Sequence, residues 1–247
     1  MPVRTSKEYR HLRWLIPAVL LGAAIAIVQL KQPMQEIVKK KVFGPSTTAE
    51  RLDQFGPSAR QRWAPYFDAA KLSYPPKAMT MIGIKDSRIL EVWASDDGEA
   101  FRHIRDCPIL GSSGGAGPKQ REGDRQVPEG LYRITALNPN SSYHLSLRIG
   151  YPNAFDRDQA QREGRTGLGG DIMIHGGRAS IGCLAMGDTV AEDLFILTAE
   201  TGIENCSIIL APTDMRRSPN VTPPARSPGW VPRLYADIKT AIDAYPR

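Results

Sequence analysis

The chain has 247 residues, 41% of them hydrophobic, which suits one sizeable globular domain with a small appendage. Its formal net charge of +6 belongs entirely to residues 1–41, which hold eight basic and two acidic residues, while the remainder carries 24 of each sign. A nucleic-acid binder needs a basic face on its folded part, so that class of partner is excluded.

The first element is an apolar run of 16 residues, Leu15–Leu30, preceded by Arg4, Lys7, Arg10 and Arg13. A basic flank before an apolar run is the pattern of an export signal. Residues 1–31 read as a membrane-anchor helix, since Ile27-Val28-Gln29-Leu30 continues the apolar stretch past the small residues Ala24-Ile25-Ala26. Cleavage near those small residues is the alternative. The positive flank puts the N-terminus in the cytoplasm and the domain outside. Residues 32–78 are polar, basic and dotted with proline, a tether with helical stretches, of which Glu50–Ala70 is the clearest. Tyr74-Pro75-Pro76 ends it.

From Met79 the hydrophobic period becomes that of strands. Met79–Ile84, Ile89–Ala94 and Phe101–Arg105 are predicted strands joined by tight turns. Leu110–Arg125 is a Gly-rich loop without the spacing of a phosphate-binding motif, because Pro118 stands before Lys119. Gly130–Ala136 and Tyr143–Ile149 are strands joined at Asn138-Pro139-Asn140-Ser141. A polar helix or loop over Asp156–Glu163 follows, then a strand at Asp171–Ile174. Thr189–Thr201 reads as a helix with Asp188 as its N-cap, and Ser207–Ala211 as a last buried strand. A Pro-rich stretch leads to an amphipathic helix at Val231–Tyr245 within the segment 213–247. The fold class is mainly β, with few helices.

Chemistry concentrates in Ile172-Met173-Ile174-His175-Gly176-Gly177-Arg178-Ala179-Ser180-Ile181-Gly182-Cys183-Leu184. A strand ends in a histidine, and a small-residue loop then delivers a cysteine. A thiol becomes a nucleophile when a base can take its proton. That makes Cys183 the candidate nucleophile and His175 its base. Backbone N–H groups around Gly182 and Cys183 can face an oxyanion. Ser180 either hydrogen-bonds within the loop or touches substrate, and Arg178 either grips a carboxylate or is solvated. His144 reads as a surface or packed histidine. No Cys-x-x-Cys occurs and there are four histidines, so no metal site is read. Cys107 and Cys206 are either buried thiols or a pair.

These pieces resemble the L,D-transpeptidase catalytic domain family (YkuD-type), whose signature is a histidine, a variable loop, then Ser/Thr-His-Gly-Cys. Here the matching residues are His175 and Ser180-Ile181-Gly182-Cys183. Gly123–Tyr132 and Leu147–Arg157 fit the same family, and the second piece and the short loop look most like its YafK-type murein subgroup. The resemblance covers about residues 79–212, which it marks as the catalytic domain, and implies a β-sandwich-like fold. It also implies that the Gly176 carbonyl orients the imidazole, and that Tyr151, Asn153 and Arg157 contact substrate. Two departures stand out. The signature's second histidine is Ile181, expected to pack beneath the nucleophile turn, and His175 and Cys183 are only eight positions apart.

By resemblance the chain is a periplasm-facing cysteine enzyme, held by the inner membrane, that acts on peptidoglycan stem peptides through a Cys183 thioester. No cofactor is implied. The L,D-transpeptidase reaction is the first reading. A YafK-type L,D-amidase that releases a wall-linked lipoprotein is the second, and a non-catalytic peptidoglycan-binding module is the third.

Overall fold

The computed structural model describes residues 44–218 and 220–247, so the apolar run at 15–30 lies outside the described residues. Among the described residues no helix is long and apolar enough to cross a membrane. Three strands open the sheet, β1 (Ala78–Ile84), β2 (Ile89–Ser95) and β3 (Arg102–Pro108), paired antiparallel in a meander. Later come β4 (Gly130–Ser141), β5 (His144–Ile149), β6 (Met173–His175), β7 (Leu184–Ala185) and β8 (Cys206–Ala211). The sheet order is β3-β2-β1-β8-β4-β5-β6-β7. Helices are α1 (Thr48–Ala70), α2 (Ala154–Arg162), α3 (Asp188–Thr201) and α4 (Val231–Asp243).

β1 and β8 are parallel neighbours buried on both faces. This explains why their sequences are nearly continuous apolar runs, not alternating ones. Met79, Met81, Cys206, Ile208 and Leu210 face one core, which α1 and α3 cover. Ile82, Ile84, Ile209 and Ala211 face a second core, capped by Val231, Leu234, Ile238 and Ile242 of α4.

The twelve-residue β4 joins the two halves of the sheet: Gly130–Arg133 pairs with β8, and the rest pairs with β5. Past β3, the amides of Leu110 and Gly111 donate to the Ala185 carbonyl of β7. The two ends of the sheet therefore meet across the Gly111–Ala185 bridge, and the main core lies inside the curl. The domain is strand-rich with few helices, as expected. The two sandwich-like halves are parts of one continuous sheet.

Several boundaries differ from the sequence reading, and three of them have a plain physical cause. The compact unit begins at Thr47, not Met79. The segment read as tether forms α1, and Ala59, Trp63 and Phe67 on one side of it are buried in the core. Its Pro57 and Pro65 face solvent, where water can serve the carbonyls that proline leaves free. β4 runs on through Asn138-Pro139-Asn140, so the turn falls at Ser142–Tyr143. Pro139 is tolerated because the β4–β5 register shifts between Asn138 and Ser141, where no ladder donor is required. Finally, α3 starts at Asp188 itself and Gly187 takes the cap position.

Cys107 and Cys206 are free, buried thiols. Strands β2 and β1 lie between them, a separation of three strand spacings or roughly 14 Å, beyond the ~7 Å that a disulfide spans. Burial pushes them up to about 11 and about 12 respectively.

Candidate active site

β6 and β7 are parallel, with Ile174 opposite Leu184 and His175 opposite Ala185. Continuing that register by one residue puts Met173 opposite Cys183. Paired residues in a ladder share a face, and side chains alternate along each strand. Met173, His175 and Cys183 therefore emerge on one side, while Ile174 and Leu184 enter the core. The eight-position interval is long enough for this because the loop only has to return from the end of β6 to the start of the adjacent β7.

His175 is 3% exposed. Its Nδ1 lies 2.6 Å from the Gly176 carbonyl oxygen, which fixes Nδ1 as the N–H donor and leaves Nε2 with the lone pair. The Tyr143 ring lies against the imidazole, centroids 4.7 Å apart and planes 31° apart. Gly176 is required here. A Cβ on it would stand 2.5 Å from Asp188 Oδ1 and 2.8 Å from the Tyr143 carbonyl oxygen. Asp188 uses that same oxygen to accept the Gly177 amide at 2.8 Å, tying the loop to the start of α3.

Cys183 is half-buried. Its Sγ lies 3.4 Å from the Met173 N–H and 3.7 Å from the Asp171 carbonyl oxygen. Burial pushes the thiol above its ordinary value, and the Met173 amide pulls the other way. Among the described residues the sulfur and the imidazole share a face without a direct hydrogen bond. Resting sites commonly tighten such contacts only when substrate binds.

Ser180 holds the nucleophile turn. Its hydroxyl accepts the amides of Gly182 (3.3 Å) and Cys183 (3.0 Å) and donates to the Cys183 carbonyl at 2.6 Å. The two amides expected to face an oxyanion are thus engaged by Ser180. Gly182, at φ +127°, makes the turn possible. Ile181 does not pack beneath it: the side chain is 79% exposed. The reason is the serine, whose three bonds fix the turn without an apolar prop. Beside the turn opens a groove of about 440 Å³ lined by Pro118, Gln120, Arg121, Asp124, Gln126 and Arg165. The Gln126 carbonyl oxygen lies 3.5 Å from where a Cβ on Gly182 would stand.

The sequence profile of the YkuD L,D-transpeptidase catalytic domain matches residues 79–203, just over half of the chain. The chain belongs to this family. YafK of Escherichia coli strain K12, provisionally named an L,D-transpeptidase, is 39% identical over 113 residues, 45% of this chain and 43% of that protein. The chain therefore matches less than half the length of its curated relatives. Among solved structures, the helical cell-shape determining protein Pgp2 of Campylobacter jejuni is 25% identical at a TM-score of 0.45, covering 55% of this chain and 48% of that one. Bd1075 of Bdellovibrio bacteriovorus is 23% identical at 0.39, over 55% and 48%.

Within the YkuD domain the other expected site residues separate by burial. Tyr151 is 4% exposed, its hydroxyl donates to the carbonyls of Lys119 and Leu168, and its ring packs edge-on against Tyr132. It packs the domain and lines, from below, the groove between β4, β5 and α2. Asn153 is the N-cap of α2, in a reciprocal capping box with Asp156. Arg157 is exposed and donates to the Pro152 carbonyl. Arg178 is exposed on the loop between His175 and Cys183. His144 pairs with Glu192 at 2.9 Å and packs on Phe55, which is a structural place. Two nearby carboxylates outside the expected site have structural places: Glu129 is fully buried and pairs with Lys85 at 3.0 Å. Asp124 accepts the amides of Gln120, Arg121 and Gln126 and shapes the loop.

Sequence reasoning missed Ser146 and Arg148 of β5. Ser146 stands opposite His175 and Arg148 opposite Met173, so both share the face of the candidate pair. The signal for them was the alternation of β5 itself, Leu145, Leu147 and Ile149 in and the residues between them out.

Proposed function

We propose that this domain is a cysteine acyltransferase of peptidoglycan stem peptides, facing the periplasm and held at the inner membrane by the segment around Leu15–Leu30. What supports the reading most is one relationship: a half-buried thiol and an imidazole with its Nε2 lone pair free occupy one face at the ends of paired strands. In the reaction His175 Nε2 takes the Cys183 proton. The sulfur attacks the carbonyl carbon of the bond between meso-diaminopimelate and D-alanine. The imidazolium returns the proton to the departing nitrogen, so D-alanine leaves and a Cys183 thioester remains. The amine of a second stem then attacks the thioester, forms the new amide and restores the thiol.

With water in place of the amine the thioester is hydrolysed. Attack on a tetrapeptide then frees D-alanine, whereas attack on a stem joined to a lipoprotein lysine, whose amine takes the returned proton and departs in place of D-alanine, frees the wall-linked lipoprotein, the YafK-type amidase outcome. The observation favouring this second reading is the openness of the loop over the thiol, with Ala179 and Ile181 both exposed.

Incubation of the full chain with purified sacculi, followed by mass analysis of muropeptides and released proteins, separates the readings. New cross-links support transfer. Shortened stems or freed protein support hydrolysis. Retained binding with unaltered muropeptides would reduce the domain to a wall-binding module.

A further inference from the structure

The outward face of the sheet does not end at the thiol. Reading across it from Cys183, the same-face residues are Met173 of β6, Arg148 of β5, and Arg133 and Thr135 of β4. Beyond Met173 lies a groove of about 510 Å³ between β4, β5 and the start of α2. Three arginines line it, Arg133, Arg148 and Arg157, and all three are exposed.

The floor is built to stay low. The Gly150 amide donates to the Arg133 carbonyl at 2.9 Å, and a Cβ on Gly150 would stand 2.9 Å from Thr135 Cγ2. Half-exposed Leu131 adds an apolar strip. Local neutralisation of the charge is weak. Arg148 pairs with Asp171 at 2.8 Å, but that carboxylate is largely exposed and such a pair yields readily to a competing anion. Arg157 donates to a neutral carbonyl. Asp156, behind the groove, is buried and already engaged in the α2 cap.

We infer that this groove is the carboxylate-binding subsite for the peptide whose carbonyl meets Cys183, with Arg133 and Arg148 as the determinants of substrate choice. The inference rests on the proposed reaction for what reaches Cys183, and on the groove itself for the chemistry it recognises. Two strand spacings separate the Arg148 backbone from that of Cys183, roughly 10 Å or the length of three extended residues. A peptide bearing several carboxylates near the attacked carbonyl can therefore lie along the face and place them against guanidinium forks, which suit carboxylates in geometry as well as charge.

The test measures binding and needs no turnover. The full chain carrying Cys183→Ala is titrated by calorimetry with a soluble disaccharide-tetrapeptide, and with the same peptide after its carboxylates are amidated. Arg133→Ala and Arg148→Ala should each weaken binding of the acidic peptide by roughly tenfold, the size expected for a lost charged hydrogen bond. Neither should change binding of the amidated one, and Arg148→Lys should recover part of the loss. Both positions are exposed, so circular dichroism should show an intact fold. Variants that bind the acidic peptide within twofold of the parent, or an amidated peptide that binds as well as the acidic one, would overturn the assignment. The two ideas fail separately. Binding without cleavage by the Cys183-containing chain leaves the groove and removes the cysteine mechanism. Cleavage with KM unchanged by Arg148→Ala does the reverse.

Discussion

Ser146 and His175 face each other across the β5–β6 ladder, and the Ser146 hydroxyl is buried with no hydrogen-bond partner among the described residues. An unpaired buried hydroxyl costs about 1–3 kcal/mol, so its place beside the imidazole calls for a reason. His175, its partner in the ladder, becomes positively charged when it accepts the thiol proton, and an unengaged hydroxyl dipole on the same face favours that charge. Ser146→Ala is therefore expected to leave the unfolding midpoint unchanged or raised. It should also slow turnover about tenfold, comparable to one charge-assisted hydrogen bond. Urea unfolding and kcat/KM check the pair of effects. A stability loss above about 1 kcal/mol with unchanged rate would make the serine structural.

The nucleophile turn gives a contrast between neighbours. Ser180 carries three hydrogen bonds of the turn, and Ile181 beside it is exposed. Ser180→Ala should lower kcat/KM by tenfold or more, on the order of one lost buried hydrogen bond. Ile181→Asp and Ile181→His should behave alike, within about threefold of the parent, because an exposed side chain is screened by water. A strong loss in Ile181→Asp alone would restore the idea that this residue packs under the turn.

That contrast shows where sequence reading reaches its limit. Strand periodicity located β1, β2, β5 and β8 within a residue or so, since burial fixes both faces of β1, β2 and β8 and the inner face of β5. The places of His175 at a strand end and Cys183 after a glycine turn were legible because glycines and a strand end are local signals. What a side chain at the turn touches is not local. Ile181 and Ser180 exchange the expected roles because a hydroxyl can satisfy three backbone groups at once. Likewise α1 belongs to the core through Trp63, whose indole N–H donates to the Asp193 carbonyl, 130 residues away. The two-residue β7 is too short for any period to reveal.

Asp156 supplies a pH test. Burial raises its carboxyl from 3.8 to about 6, against the opposing Asn153 amide and Tyr132 hydroxyl. A raised folded value means the folded protein holds the proton more tightly. The associated stability is full below about pH 4 and is lost as pH rises through about 6. The loss is on the order of 3 kcal/mol. Other carboxylates, such as Asp124, are shifted down and act in the opposite sense, so the comparison must be with a variant. Asp156→Asn should flatten the difference between pH 4 and pH 6.5 in urea unfolding. Parallel curves for the two proteins would show that Asp156 is solvated.

The thiol of Cys183 carries the proposed chemistry, and intact-protein mass spectrometry tests it most directly. The full chain is mixed with a soluble disaccharide-tetrapeptide, quenched in acid at short times and digested to locate any adduct. The expected result is a mass increase equal to the substrate less D-alanine, on the peptide containing Cys183, absent in Cys183→Ala and reduced in His175→Ala. Release of D-alanine by Cys183→Ala at the parent's rate would contradict the mechanism.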